Sequence, residues 1–156
     1  MVRLTLLSQA DYEVWIARSI EEYAQEKAHA GNWTSEEAPR RARDEFQQLL
    51  PNGLATPNTY LLSIEDEASG RKVGLLWLAI RDPRAGRAFI FDFRIDEPYR
   101  RQGYGFGALR ALDEFARELG MTEIGLHVFG HNHAARALYE KAGYEITNVN
   151  MVRKLG

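Results

Sequence analysis

The chain has 156 residues, of which 45% are hydrophobic and 27% are charged, the size and composition of one compact folded domain. Its net charge of −2 argues against nucleic acid as a partner, because phosphate binding needs a basic surface. The absence of cysteine excludes disulfides and thiolate chemistry, and no apolar run reaches the ~18 residues of a membrane span, so we expect a cytoplasmic protein with no membrane contact.

The N-terminal part of the sequence predicts one strand followed by two helices. Val2 to Leu7 is predicted to be a short strand, and apolar residues then recur at helical spacing from Asp11, the expected N-cap, to Gly31. A second helix is expected to begin at Thr34 or Ser35 and to end at Leu49 or Leu50. Glu37 stands three residues after Thr34, as in a capping box.

From residue 60 the hydrophobic pattern changes to the period of two that is typical of strands. The three strands predicted here are Tyr60–Glu65, Val73–Arg81 and Ala88–Ile95. Strict alternation along the third strand gives it two different faces. One face carries Phe89, Phe91, Phe93 and Ile95, and the other carries Ile90, Asp92 and Arg94.

The last third of the sequence predicts a helix, a strand, a short helix and a final strand. Their expected ranges are Tyr104–Leu119, Glu123–Phe129, Ala134–Ala142 and Tyr144–Arg153. No repeat, low-complexity tract or linker interrupts the pattern, so the sequence predicts a single α/β domain over residues 1–156.

Three glycines at alternate positions, Gly103, Gly105 and Gly107, lie where the chain leaves a strand and begins a helix. The first turn of a helix has unpaired N–H groups and a partial positive charge, and glycine lets a ligand approach the backbone closely. Arg100 and Arg101 add formal positive charge. The segment predicts an anion site, the alternative being a glycine-rich helix start with two solvated arginines.

Two common nucleotide-binding patterns do not fit this segment. Gly103-x-Gly105-x-x-Ala108 matches a dinucleotide fingerprint, but seven residues separate the strand from the first glycine and fewer than 50 follow the motif. A Walker loop is excluded because no Gly-Lys-Ser/Thr follows.

The pattern that does fit is Arg-x-x-Gly-x-Gly, at Arg100, Gly103 and Gly105, between a hydrophobic strand and an amphipathic helix. A second block of residues agrees with it: Asn132, Ala135, Leu138, Tyr139, Glu140, Lys141, Gly143 and Tyr144. Together with the order of elements, these two blocks resemble the pattern of the GNAT superfamily of acyl-CoA-dependent N-acetyltransferases. The resemblance covers essentially the whole chain. The resemblance implies an α/β (α+β) fold with a mixed, mostly antiparallel sheet of six to seven strands, about four flanking helices, and a V-shaped splay between the fourth and fifth strands.

The resemblance implies that acetyl-CoA, the acyl donor, lies in that splay. Phe93 and Ile95 would offer backbone groups to the pantetheine, and Asn132 would reach the cofactor from the other side. The residues that would hold the pyrophosphate are Arg100, Arg101, Gln102, Gly103, Tyr104, Gly105 and Phe106. Tyr139 matches the residue that commonly protonates the departing thiolate and would also contact the cofactor. Because a phenol has a pKa of about 10 and a thiol one of about 8.5, its role is as much hydrogen bonding as proton transfer.

The reaction that the resemblance implies is direct attack of a neutral amine on the thioester, without a covalent enzyme intermediate. Asp92 is a candidate base, and Glu22 and Glu26 are equally plausible, the alternative for each being a solvated or bracing carboxylate. Because no base stands out, a non-catalytic acyl-CoA-binding sensor or interaction domain is the alternative function.

In the family the first two helices shape the acceptor pocket. The candidate acceptor-binding residues are Tyr23, Glu26, Trp33 and Trp77, the alternative being core aromatics and a solvated charged face. No metal is expected near His127, His131 and His133, since no carboxylate or cysteine lies close in sequence. The acceptor amine stays unidentified, and a homodimer is compatible with the resemblance.

Overall fold

The computed structural model describes residues 1–156 as a mixed α/β fold. The strands are β1 (Val2–Leu6), β2 (Thr59–Asp66), β3 (Lys72–Asp82), β4 (Arg87–Ile95) and β5 (Glu123–Leu126). The α-helices are α1 (Gln9–His29), α2 (Ala38–Leu49), α3 (Tyr104–Glu118) and α4 (His133–Lys141), and single 3-10 turns lie at Gly53–Ala55 and Glu97–Tyr99. No helix combines the length and the apolar character needed to cross a bilayer.

The five strands form one sheet in the order β1-β2-β3-β4-β5. The first four are antiparallel neighbours, whereas β4 and β5 run parallel. This parallel pairing joins only Arg87–Ile90 to Glu123–Leu126. Beyond Ile90, β4 continues to Ile95 with no neighbour on that side. The sheet is therefore open between its fourth and fifth strands.

Each face of the sheet is covered by its own apolar core. The larger core packs α3 on one face, and its fully buried side chains include Leu62, Ile64, Leu76, Leu78, Leu109 and Leu112. The smaller core lies under α1 on the other face and comprises Leu7, Trp15, Leu50, Leu61 and Trp77. Full burial of one such side chain stabilises the fold by roughly 1.5–3 kcal/mol. β2 and β3 supply buried side chains to both cores, and β4 also packs residues against each of them.

The prediction of six to seven strands was wrong, because the expected strand Tyr144–Arg153 is not formed. Residues 145–156 make no backbone–backbone hydrogen bond and lie in no helix or strand. A strand forms only when its backbone pairs with a neighbouring edge, and this segment pairs with none, including the open outer edge of β5. β5 is also shorter than expected and ends at Leu126 rather than Phe129.

The predicted faces of β4 were wrong for part of the strand. Trp77 pairs with Asp92 and Leu78 pairs with Ile90, which leaves Phe91 as the extra residue of a β-bulge. Phe93 and Ile95 consequently pack on the α3 face with Ile90. Phe91 and Asp92 both lie on the α1 face instead of on opposite faces, because strict alternation holds only where the pairing is regular.

Two helix starts also differ from their predicted positions. Ser8, not Asp11, caps α1: its Oγ accepts a hydrogen bond of 3.1 Å from the backbone N–H of Asp11. α2 begins at Ala38 rather than at Thr34. The expected capping contact still forms, since Thr34 Oγ1 accepts from Glu37 N at 3.2 Å, but it closes a turn that precedes the helix.

Candidate active site

The N-terminus of α3 presents an unbroken run of unpaired backbone donors. The N–H groups of residues 101–106 donate no hydrogen bond within the chain, and the first helical bond runs from Gly107 N to Gly103 O at 3.0 Å. Arg101 and Gly103 both adopt positive φ values, 63° and 87°. Alternation of left-handed and other conformations turns successive N–H groups toward one side, which makes a concave anion-binding surface. The segment therefore offers a preformed anion site.

The two arginines of this segment have different environments. Arg100 Nε donates to the carbonyl oxygen of Ile95 at 2.8 Å, which ties the loop to the end of β4. That bond also occupies one lone pair of the Ile95 carbonyl oxygen, a backbone group that the family resemblance assigns to the pantetheine. Arg101 makes no hydrogen bond or ion pair within the chain and is exposed. Arg101 is thus the cation available to an anion at this helix start.

Gly105 allows α3 to approach α4 closely. A Cβ at this position would lie 3.1 Å from Leu138 Cδ2, closer than ordinary contact. Its side-chain position therefore faces the neighbouring helix, while its N–H belongs to the unpaired run.

Tyr139 lies on α4 on the same face of the sheet as Phe93, and their ring centroids are 6.3 Å apart. Phe93 belongs to the part of β4 that has no neighbour on the β5 side. Burial raises the pKa of the Tyr139 phenol above its usual 10, and the negative charge of Asp92 raises it further. At neutral pH the hydroxyl is therefore a proton-bearing hydrogen-bond donor beside the opening in the sheet.

A pocket of about 200 Å³ lies on the opposite face, between α1 and the sheet. Its lining residues are Trp15, Ser19, Glu22, Tyr23, Glu26, Phe46, Trp77, Phe91, Asp92 and Arg94. Five of the residues predicted for the acceptor site or as base line this one pocket: Glu22, Tyr23, Glu26, Trp77 and Asp92. The bulge at Phe91 brings Asp92 and Arg94 to it.

The charged groups of the pocket differ in how they are held. Asp92 Oδ2 accepts a hydrogen bond of 3.1 Å from Trp15 Nε1, and Arg94 Nη2 lies 2.8 Å from Glu22 Oε2. Glu26 has no hydrogen-bond or ion-pair partner. With one arginine against three carboxylates, the lining carries a net negative charge.

The aromatic groups of the pocket are also distinct in their polar contacts. Tyr23 donates to a carboxylate oxygen of Glu45, and burial followed by the effects of Glu45 raises its pKa to about 12. Trp77 is 4% exposed, and its Nε1–H has no hydrogen-bond partner. A buried donor without a partner costs roughly 1–3 kcal/mol, so the packing of Trp77 in the core beside the pocket leaves one hydrogen bond unmade.

Trp33 does not line the pocket, unlike the other predicted acceptor residues. Its ring packs edge-on against Tyr23, with centroids 5.6 Å apart, and the Lys27 ammonium lies 5.7 Å from its centroid. The lining residues that sequence patterns did not single out are Trp15, Ser19, Phe46, Phe91 and Arg94. Those on helices belong to amphipathic stripes, and such a stripe looks the same in sequence whether its aromatic residues face a core or a pocket. Phe91 and Arg94 line the pocket only because of the bulge in β4, which the sequence pattern did not predict.

Asn132 is the N-cap of α4, since its Oδ1 accepts from Ala135 N at 3.2 Å. Its Nδ2 makes no hydrogen bond and is free for another partner. The neighbouring histidines form no metal-binding cluster, because no three His, Asp or Glu side chains converge anywhere in the chain. His127 instead packs edge-on against the Phe129 ring, and His131 stacks on that ring, with centroid distances of 5.0 and 5.6 Å.

Residues 17–144 match the profile of the Acetyltransferase (GNAT) family. Over 155 residues the chain is 40% identical to the uncharacterized N-acetyltransferase YycN of Bacillus subtilis (strain 168), with 99% of each chain covered. It is 36% identical over 151 residues to the uncharacterized N-acetyltransferase YdgE of the same organism, covering 96% of this chain and 95% of that one. The crystal structure of YycN matches with a TM-score of 0.86 and 39% identity over 99% of each chain.

Proposed function

The chain belongs to the acetyltransferase (GNAT) family, and on that premise we propose that it transfers the acetyl group of acetyl-CoA to a primary amine by direct attack. The observation that carries the proposal is the run of unpaired N–H groups at residues 101–106, next to the opening between β4 and β5. Six oriented donors at a helix N-terminus fit a pyrophosphate, which supplies several acceptor oxygens and negative charge.

The residues around this helix start fit the rest of the donor. Arg101 is free to meet a phosphate, and the free Nδ2 of Asn132 can donate to the cofactor from α4. Residues 91–95 of β4 have no β5 neighbour, so backbone groups on that edge are available to the pantetheine amides, including those of Phe93 and the lone pair of the Ile95 carbonyl oxygen that Arg100 leaves free. A bound acetyl-CoA supplies the thioester that the amine attacks.

Tyr139 is the group we assign to the departing thiolate. Because its pKa is raised, the phenol keeps its proton at neutral pH and is a weak acid thermodynamically. Its main contribution is a hydrogen bond to the sulfur as negative charge develops there, followed by proton transfer as the charge becomes complete. Phe93 packs against the ring and limits its orientation.

The pocket beneath α1 supports a cationic amine as the acceptor. Its aromatic walls and net negative charge favour an ammonium group, through cation–π attraction and the uncompensated carboxylate of Glu26. Asp92, held by Trp15, is the candidate to take the proton that the ammonium must lose, directly or through water.

The proposal is tested by following free thiol while acetyl-CoA is incubated with an alkylamine, a diamine, an amino sugar and a lysine peptide. We expect amine-dependent thiol release, and Glu26→Gln is expected to raise the KM for the best amine about 5-fold or more with a smaller change in kcat. Glu36→Gln, at an exposed carboxylate outside the pocket, is the matched control.

Two other outcomes would contradict the proposal in different ways. Thermal stabilisation by acetyl-CoA with no thiol release for any amine would indicate the non-catalytic acyl-CoA-binding alternative, which no feature of the site favours. Neither stabilisation nor release would exclude acetyl-CoA as a ligand altogether.

A further inference from the structure

The β3–β4 pair contains a second bulge besides the one at Phe91. The register of β3 against β4 shifts between Ile80 and Asp82, which leaves Arg81 as an extra residue of β3. A bulge re-aims the side chain of its extra residue, and bulges are common beside active sites. Here the two extra residues meet, since Cζ of Arg81 lies 5.1 Å from the Phe91 ring centroid. Both bulges therefore bring a side chain to the same place on the sheet.

The guanidinium group of Arg81 is held on an aromatic surface that leads to the pocket under α1. Its Cζ lies 3.7 Å from the ring centroid of Phe89, within the range of a close cation–π contact. Phe89 packs edge-on against Phe91 at 5.2 Å, and Phe91 stacks on Trp77 at 4.8 Å. Phe91 and Trp77 both line the pocket. A row of rings in contact therefore connects Arg81 to the pocket.

Arg81 has no anionic partner in the chain. It is exposed and makes no hydrogen bond or ion pair. The carboxylates nearby along the strands are engaged elsewhere. Asp82 Oδ1 accepts from Ala85 N at 3.1 Å, and Glu123 pairs with Arg87. Because contact with the face of a ring uses none of the N–H groups of a guanidinium, those of Arg81 are all available to a planar anion.

We propose that Arg81, with the Phe89 and Phe91 rings, forms a second subsite of the acceptor pocket, which binds a carboxylate on the same molecule as the reacting amine. The acceptor class is thus a primary amine joined to a carboxylate by a short apolar chain. The inference rests on the proposed function for the amine end, where Glu26 and Asp92 attract the ammonium group. The apolar chain packs along the Phe91 ring, and Arg81 binds the carboxylate at the far end.

A zwitterionic acceptor fits the charges of this region better than a simple alkylamine does. The arginine inside the pocket, Arg94, is already paired with Glu22 at 2.8 Å, so Arg81 is the uncompensated cation beside the Phe91 wall. The net negative charge of the pocket keeps a carboxylate out of it. Opposite charges at the two ends therefore fix one orientation of a zwitterion, with its amine and not its carboxylate directed toward Asp92.

The experiment compares three ligands that share a primary amine and a similar alkyl chain: ε-aminocaproate, its uncharged amide ε-aminocaproamide, and hexylamine. Their dissociation constants are measured by NMR chemical-shift titration, which needs no turnover. We expect ε-aminocaproate to bind about 5- to 10-fold more tightly than either of the others, because only its carboxylate gains charge-assisted hydrogen bonds. The Nε–H signal of Arg81 should shift with ε-aminocaproate and not with hexylamine.

Arg81→Gln is expected to remove this preference, so that the dissociation constants of ε-aminocaproate and its amide become equal within ~2-fold. Arg81→Lys keeps the charge but loses the planar donors, and it should retain part of the preference. The matched control is Arg84→Gln, at an exposed arginine in the turn after β3 that contacts none of these rings, and it should keep the full preference. With acetyl-CoA present, the KM values of the two ligands should follow the same order.

Three outcomes would overturn the proposal. The first is equal affinity of the unsubstituted protein for the three ligands, and the second is no binding of any of them. The third is a preference for ε-aminocaproate that Arg81→Gln retains, which would place the carboxylate on another cation. Failure of acetyl transfer is a separate result, because an Arg81-dependent preference without thiol release would support the subsite and contradict the proposed reaction.

Discussion

At the scale of single residues, Tyr139 has the clearest chemical assignment. Burial and the charge of Asp92 both favour its neutral form, so the hydroxyl is a donor over the whole physiological range. A donor of this kind stabilises a developing thiolate more than the neutral thioester that precedes it. The Tyr139 hydroxyl should therefore contribute to kcat and not to the affinity for acetyl-CoA.

Tyr139→Phe is expected to lower kcat about 100-fold while the Kd for acetyl-CoA changes less than ~2-fold, because only the hydroxyl is lost and the ring keeps its contact with Phe93. Steady-state kinetics and calorimetric titration measure the two quantities. The control is Tyr144→Phe, which removes a neighbouring buried hydroxyl that has no hydrogen-bond partner. Equal turnover of the two variants would remove Tyr139 from the mechanism.

Arg101→Ala is expected to weaken acetyl-CoA binding about 5- to 10-fold, because a charge-assisted hydrogen bond contributes ~1.5 kcal/mol or less when exposed. Binding to this variant should also depend less on salt concentration. Titrations at low and high salt test both expectations. Arg110→Ala removes an exposed arginine that also makes no ion pair and serves as the control. Identical salt dependence of both variants would place the phosphate elsewhere.

At the scale of elements, β4 determines what the site can do. The bulge at Phe91 turns Asp92 and Arg94 toward the pocket under α1, while Phe93 and Ile95 stay on the α3 face. In the proposed function, one strand therefore serves the donor at its open edge and the acceptor on its α1 face. The bulge depends on β3, which stays paired with β4 up to Ile95 where β5 has already diverged.

Gly74→Ala is expected to lower the free energy of unfolding by about 2–3 kcal/mol, because the new Cβ would lie 2.2 Å from the carbonyl oxygen of Arg94 and the backbone of β4 must move. Urea unfolding measures the loss. In the control, Gly125→Ala, the nearest neighbour is a side-chain atom of Phe89 at 3.5 Å, and a change below ~0.5 kcal/mol is expected. An unchanged stability of the Gly74 variant would mean that β3 and β4 can separate freely near the site.

Sequence patterns predicted most elements because those elements carry local signals. Period-two alternation located β2, β3 and β4 to within one residue at each end, and the apolar stripe and glycine pattern located α3. The same alternation failed at Phe91, since a bulge is decided by pairing with β3 and not by the strand itself. Asp11 was preferred over Ser8 as N-cap because both residue types cap helices and only the backbone path decides between them.

At the scale of the whole molecule, the proposed donor and acceptor sites differ in how far sequence could predict them. Residues 101–106 form one contiguous motif, so their local geometry follows from their own sequence. The acceptor pocket draws on α1, α2, β3 and β4, and an aromatic such as Trp15 gives the same pattern whether it faces a core or a cavity. The final strand was predicted because its sequence suits a sheet, but a strand also requires pairing with a sheet edge, and residues 145–156 pair with none.

The tyrosines of the whole molecule predict how stability depends on alkaline pH. Burial is the largest cause of a raised pKa at Tyr12, Tyr23, Tyr139 and Tyr144, and Tyr23 reaches about 12. In the unfolded chain these phenols ionise near pH 10, so above about pH 9 the folded state binds more protons than the unfolded one. The free energy of unfolding should consequently be constant near pH 8 and fall as pH rises toward 12. Urea unfolding between pH 8 and 11 measures how steeply the free energy of unfolding falls with pH. Tyr23→Phe should make this fall shallower above about pH 9. Below about pH 9 the free energies of the variant and of the unsubstituted protein should differ by a constant amount. A stability that stays flat or rises up to pH 11 would contradict the burial of these hydroxyls.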